Sequence, residues 1–198
     1  MRTITVLNHL SLDGVMQAPG GPDEDTRDGF DHGGWAMAGN DEVGGKFLGA
    51  RMTEGASQGG SLLLGRRTYE VFASYWPKQT DDNPYTEVLN RAHKYVVSTT
   101  LTEPLPWANS TLLKGEAAST VAQLKQEPGG DLLIMGSGVL VGSLIRAGLI
   151  DRYVLMTHAL ILGRGHRMFP EDGDAVRLRL TDTQVTTTGV IIATYEHA

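Results

Sequence analysis

The chain contains no cysteine, which excludes disulfides, thiolate metal sites and a cysteine nucleophile. That absence suits a reducing cytoplasm. Long hydrophobic runs are missing too. No stretch approaches the roughly 18 apolar residues of a membrane span, and the opening MRTITVLNHLSLDG is too polar for a signal peptide. Positive charge is scarce: 17 Lys and Arg against 23 Asp and Glu leave a net charge of −6. That balance argues against non-specific nucleic-acid binding, which needs a basic face, so any phosphate recognition must be local. The six histidines show no metal-ligating spacing, and no metal is expected.

What is present is an ordinary globular composition over 198 residues, enough for one domain. Strands are predicted at Thr3–Asn8, Ser61–Leu64, Lys94–Ser98, Thr111–Lys114, Asp131–Met135 and Arg152–Leu162, each β-branched or wholly apolar. Val176–Val185 and Val190–His197 read as a hairpin turning near Gly189. Helices are predicted at Asp41–Gly55, from Arg66 to about Tyr75, at Ala117–Gln126 and at Val139–Ala147. Between the first strand and the first helix lies a Gly-, Pro- and Asp-rich stretch, Val15–Gly34. A loop of that length inside a compact domain is usually functional or disordered. Strands alternating with helices give an α/β domain with a mixed, mainly parallel sheet and a C-terminal antiparallel hairpin.

Two buried strands end in glycine turns that open helices: LLLG-RRTY and LLIM-GSG-VL. Cations are unfavourable in a helix's first turn unless an anion joins them, so Arg66 and Arg67 raise the question of what sits above them. Helix N-termini at the carboxyl ends of parallel strands bind phosphates through free N–H groups. The alternative is plain turn chemistry with solvated arginines. GSGVLVG fits the dinucleotide fingerprint imperfectly and has no acidic residue ending the next strand, so a Rossmann domain is a poor fit.

Taken in order, SLDG (Ser11–Gly14), LLLGRRTYE (Leu62–Glu70), VVSTTL (Val96–Leu101), GSGVLVGSLIRAGLIDRYVL (Gly136–Leu155) and GRGHRMF (Gly163–Phe169) resemble the dihydrofolate-reductase-like superfamily. Within it they are most similar to proteins related to the reductase domain of the bifunctional riboflavin-biosynthesis deaminase/reductase. The resemblance implies a three-layer domain and an NADPH-dependent reductase acting on a small molecule, commonly a homodimer. It implies that Gly65, Arg66, Arg67 and Thr68 hold cofactor phosphates, with Ser98 and Thr99 beside the adenosine 2′-phosphate. Gly136, Ser137, Gly138, Val139 and Leu140 would line the pyrophosphate and nicotinamide. Asp13 would face the substrate end, with Val15–Trp35 in the place of a mobile loop; a side chain or water must then supply the proton, and Asp13 is the candidate catalytic residue for it.

The departures narrow the substrate. The carboxylate of true dihydrofolate reductases falls near Gly49, in a glycine-rich helix, which argues against folate. No deaminase domain or zinc-binding cysteine is present. Asp13 also has a plain reading as a turn-forming residue. His158 reads as a hydrogen-bonded core histidine rather than a catalyst, and Trp35 and Met37 read as an anchor for the long loop, with one wall of an aromatic substrate pocket as the alternative. The GRGHR cluster reads either as surface or as a substrate-phosphate site.

Overall fold

The computed structural model describes residues 1–80, 84–169, 171–172 and 174–198. Eight strands form one sheet: β1 (Ile4–Ser11), β2 (Ser61–Gly65), β3 (His93–Val97), β4 (Ser110–Leu113), β5 (Leu132–Met135), β6 (Arg152–His158), β7 (Leu178–Val185) and β8 (Ile191–His197). Their spatial order is β4-β3-β2-β5-β1-β6-β8-β7. The first six are parallel, and β8 and β7 run antiparallel at one edge. The mixed, mainly parallel sheet and its terminal hairpin are those the sequence predicts. Gly189, at φ 84°, makes the hairpin turn, a conformation that costs glycine little.

Parallel strands need crossovers, and the sequence supplies helices. These are α1 (Glu42–Ser57), α2 (Arg66–Tyr75), α3 (Pro84–Arg91), α4 (Ala117–Gln126) and α5 (Gly138–Arg146). Alternation along β1 sends Ile4, Val6 and Leu10 to one face and Leu7 to the other. On the first face they pack with Leu63, Leu132, Ile134 and the inner sides of α4 and α5. On the second, Leu62, Leu64 and Val96 meet Tyr69 of α2 and Leu89 of α3, while Leu7, Val154 and Met156 meet Phe47 and Leu48 of α1. The domain is therefore three-layered, helices–sheet–helices.

Several element ends differ from the sequence reading; β1, for one, runs on to Ser11 instead of ending at Asn8. β6 stops at His158 instead of Leu162, because Leu160 N–H turns back to the carbonyl of His158 (2.8 Å). α3 was not predicted at all. Its C-terminal carbonyls are capped by a buried lysine: Lys94 Nζ donates to Leu89 (3.1 Å) and Asn90 (3.0 Å) and lies 4.2 Å from the Trp107 ring centroid. Burial lowers the pKa of Lys94 to about 8, so these contacts offset a real desolvation cost.

Candidate active site

β5 lies between β2 and β1, so the chain order reverses there, and a crevice is expected beyond the carboxyl ends of these strands. The two glycine corners occupy it and hold each other. Gly65 N–H, ending β2, donates to Ser137 Oγ (2.8 Å), and Gly136 N–H, after β5, donates to Asn8 Oδ1 (2.7 Å) on β1. Three strand ends are thereby tied by two side chains.

The closeness explains the residue types. A methyl group on Gly65 would stand 3.3 Å from Ser137 Cβ, and one on Gly136 3.2 Å from Thr68 Oγ1. One on Gly138 would stand 3.0 Å from Met16 Sδ. Ser137 itself is left-handed (φ 63°, ψ 53°), a conformation that costs a non-glycine residue on the order of 1–3 kcal/mol. That strained residue is the one that joins the two corners.

α2 and α5 start side by side here, and no side chain caps either N-terminus. The first-turn N–H groups of Arg66, Arg67 and Thr68, and of Gly138, Val139 and Leu140, have no partner in their own helices. Val139 is exposed and Leu140 buried. Gly65 pairs with Val97 across the sheet, so Arg66 and Ser98 leave β2 and β3 next to each other. Arg66 lies 3.7 Å from Glu70, while Arg67 is exposed and makes no ion pair among the described residues. Ser98 is buried and its hydroxyl accepts from Thr100 N–H (3.1 Å) and Leu101 N–H (3.0 Å); Thr99 is exposed. The structure thus gathers all the predicted cofactor-side residues at one end of the sheet.

Asp13 stands apart from them in role. Its carboxylate accepts from Ser11 Oγ (2.7 Å), Leu162 N–H (3.1 Å) and Gly163 N–H (2.9 Å), with Arg167 at 3.9 Å. The hydroxyl of Ser11 and the N–H groups of Leu162 and Gly163 together hold its pKa at about 2. A carboxylate so held is ionised near neutral pH and keeps no proton to deliver. In this geometry Asp13 clasps the segment after β6 to the end of β1.

The clasp has a pH signature. A depressed carboxylate pKa adds stability above the unfolded value of about 3.8, and that contribution is lost as pH falls through about 2. Asp13→Ala is expected to destabilise the protein by roughly 1.5–3 kcal/mol at pH 7, the scale of hydrogen bonds to a charged group. The gap from wild type should narrow at pH 3. Urea denaturation at both pH values checks it; an equal gap at pH 7 and pH 3 would refute the clasp.

The long loop has a core of its own. Val15, Ala18 and Phe30 are buried together with Trp35 and Leu162 against them, and Trp35 Nε1 donates to the Gln17 carbonyl (2.7 Å). Trp35 is the anchor the sequence suggested. Met16 N–H donates to His166 O (2.9 Å) and Val15 bridges Arg167. The GRGHR charges face three acids, two of them from this loop: Arg164 with Asp31, His166 with Asp28 (2.9 Å), Arg167 with Asp13. The cluster ties the loop down, which accounts for its charge without a substrate phosphate.

At the other side of the crevice His9 Nδ1 and His158 Nε2 lie 2.9 Å apart, joining β1 to β6. His158 is buried, as expected, and Trp35 meets it edge-on at 5.2 Å. Burial first, and His158 second, lower the pKa of His9 to about 4; burial also lowers that of His158. Neither acid at the start of α1 is left for proton transfer in the described geometry. Asp41 caps Gly44 N–H (2.8 Å) and takes the N–H and hydroxyl of Thr187 (both 2.6 Å), and Glu42 pairs with Lys46. Asn8, His9 and Met16 were missed as site residues. The signal was there: two polar residues, Asn8 and His9, inside a strand otherwise apolar enough to be buried on both faces.

Residues 2–192 match the family model of the RibD C-terminal domain, and the chain belongs to that family. It is 29% identical over 149 residues to the Bacillus subtilis (strain 168) protein YyaP, covering 72% of this chain and 77% of that one. Among solved structures it resembles a putative riboflavin biosynthesis protein from Shewanella sp. PV-4, with 20% identity, TM-score 0.60, and coverage of 100% and 99%. It also resembles dihydrofolate reductase from Enterococcus faecalis complexed with NADP(H), with 16% identity, TM-score 0.59, and coverage of 98% and 96%. The fold is dihydrofolate-reductase-like.

Proposed function

We propose that this member of the RibD C-terminal domain family is an NADPH-dependent reductase that transfers a hydride to a small heterocyclic or ribosylaminopyrimidine-like substrate. The observation that carries the reading is the pair of glycine corners locked by the Gly65–Ser137 hydrogen bond, with two uncapped helix N-termini beside them. Such a cradle fits a dinucleotide. Side chains at Gly65, Gly136 or Gly138 would crowd Ser137, Thr68 or Met16, so the backbone is kept open to a ligand's close approach.

The residues divide the work. Gly65, Arg66, Arg67 and Thr68 would hold phosphate through N–H groups, guanidinium and hydroxyl. Ser98 and Thr99 would flank the adenosine 2′-phosphate. Gly136 to Leu140 would hold the pyrophosphate and nicotinamide, with Asn8 fixing Gly136. The bound cofactor supplies the hydride. The chain contributes placement and exclusion of water, the latter through the loop packed on Val15 and Phe30. Folate is not the substrate of this reading, since Asp41 is committed to Gly44 and Thr187.

The test is absorbance at 340 nm with NADPH and a panel of pterins, flavins and ribosylaminopyrimidines such as 5-amino-6-(5-phosphoribosylamino)uracil. NADPH consumption with one of them supports a reductase. Tight NADPH binding without turnover on any would leave a nucleotide-binding protein instead. The reading places the enzyme in the cytoplasm and makes it a homodimer. The exposed apolar residues Leu180 and Val185 of the edge strand β7, with Ile191 of β8, offer a surface for pairing. Light scattering at micromolar concentration is expected to give twice the 21.4 kDa chain mass. A mass of one chain would remove the dimer.

A further inference from the structure

The histidine pair is not needed to build the cofactor cradle, yet it sits beside it. Leu7 pairs with Met135, so His9, two residues on, comes level with Ser137. It projects to the same side as Leu7, the face covered by α1. Its Nδ1 is taken by His158. Among the described residues its Nε2 makes no hydrogen bond and is not enclosed, and the one fully buried side-chain polar atom without a partner is Ser110 Oγ. His9 is only partly buried, whereas His158 is almost wholly so. One imidazole therefore keeps an accessible edge at the end of β1 level with Ser137, and the other backs it.

The tautomers follow from what touches His158. A methyl group on Gly39 would stand 2.5 Å from His158 Nδ1 and 2.8 Å from its Cε1, so that edge of the ring packs on the Gly39 α-carbon. A lone pair is accommodated against C–H, whereas an N–H there would be wasted. The proton of neutral His158 thus belongs on Nε2, where it donates to His9 Nδ1. His9, accepting on Nδ1, must carry its own proton on Nε2. Trp35, edge-on to His158, keeps the buried ring from turning.

Building on the reductase reading, we propose that His9 is an electrophilic catalytic residue, presenting a neutral Nε2–H to the heteroatom of the substrate's C=N or C=O bond, and that His158 is the positioning residue that fixes its tautomer. As hydride adds to the carbon, the π electron pair moves to the heteroatom, and the His9 N–H stabilises the charge developing there. Solvent water then supplies the proton, so the pair itself gains and loses none. The lowered pKa of both rings keeps them neutral for this task, and a neutral imidazole is able to polarise an acceptor in this way. The role fits a site whose candidate acids, Asp13 and Asp41, are already committed to backbone N–H groups.

Long-range proton–nitrogen spectra of the full chain labelled with ¹⁵N-histidine are expected to show Nε2–H on both His9 and His158. Replacing His158 with Leu should release His9 into the ordinary tautomer mixture, while His158→Gln, whose amide can donate in the same place, should restore Nε2–H. With the ribosylaminopyrimidine that the wild type reduces, His9→Leu should lower turnover by about 10²–10³-fold, the effect of removing one such donor. NADPH affinity should stay within about twofold, and His158→Gln should outperform His158→Leu. A proton on Nδ1 of His9, or unchanged turnover in His9→Leu, overturns the proposal. If the wild type binds NADPH but reduces nothing in the panel, it is the reductase reading that fails, and the catalytic role falls with it.

Discussion

Gly136→Val is expected to abolish useful NADPH binding, raising the dissociation constant about a hundredfold or more. Two costs combine. Gly136 has φ 74°, which a β-branched residue adopts only with strain of on the order of 1–3 kcal/mol. Its new Cβ would also press on Thr68 at 3.2–3.3 Å, and overpacking of that kind costs about 1–3 kcal/mol. The loop can relieve both only by moving off α2, which breaks the Asn8 and Ser137 hydrogen bonds that align the cradle. Fluorescence titration gives the binding constant, and thermal melting separates misfolding from a distorted site. A variant that melts like wild type yet binds NADPH normally would show that this corner is not where the cofactor lies.

Arg66→Ala and Arg67→Ala are the second test, made separately because one guanidinium pointing at the ligand is enough. At least one should weaken NADPH binding tenfold to a hundredfold, the equivalent of roughly 1.5–3 kcal/mol for a charge-assisted hydrogen bond. If the partner is the 2′-phosphate near Ser98 and Thr99, NADH binding should barely change. A pyrophosphate contact would weaken both cofactors alike. Arg66 stands level with Ser98 across the β2–β3 pair and is partly engaged by Glu70; Arg67 is the less encumbered. Should neither variant alter either constant, both arginines are solvated surface residues.

The sequence made the sheet legible because its strands are apolar on both faces, LLL and LLI without interruption, and because Gly65, Gly136 and Gly148 punctuate the corners. α4 was read to the residue, since Glu116 caps it and Glu127-Pro128 ends it. α3 was invisible for the opposite reason. PYTEVLNR carries little local preference, and what holds it is Leu89 in the core and Lys94 on its last carbonyls. The site shows the same division. Motif and turn chemistry pointed to Gly65–Thr68 and Gly136–Leu140. Nothing local said that Ser137 would accept from Gly65, or that His9 would meet His158 across 149 positions of chain. Asp13 was found, but its function depends on Leu162 and Gly163, whose N–H groups no sequence pattern aims at it. The GRGHR charges likewise acquire meaning only beside Asp28 and Asp31.

The place of β1 in the sheet has a consequence for biosynthesis. Its neighbours are β5 and β6, so β1 leaves the ribosome long before either partner exists. β2, β3 and β4 form one contiguous run, Ser61 to Leu113, and pair among themselves. Their half of the sheet can assemble while β1, buried on both faces in the finished domain, has no strand to join. Such long-range parallel pairing is slow and leaves apolar segments exposed meanwhile. Hydrogen exchange on ribosome-stalled chains ending at Gln126 should find β2 and β3 amides protected and β1 amides open. The strand that carries Asn8 and His9 is thus among the last to be secured, and the nascent chain has no cofactor cradle until β5 has emerged to complete it.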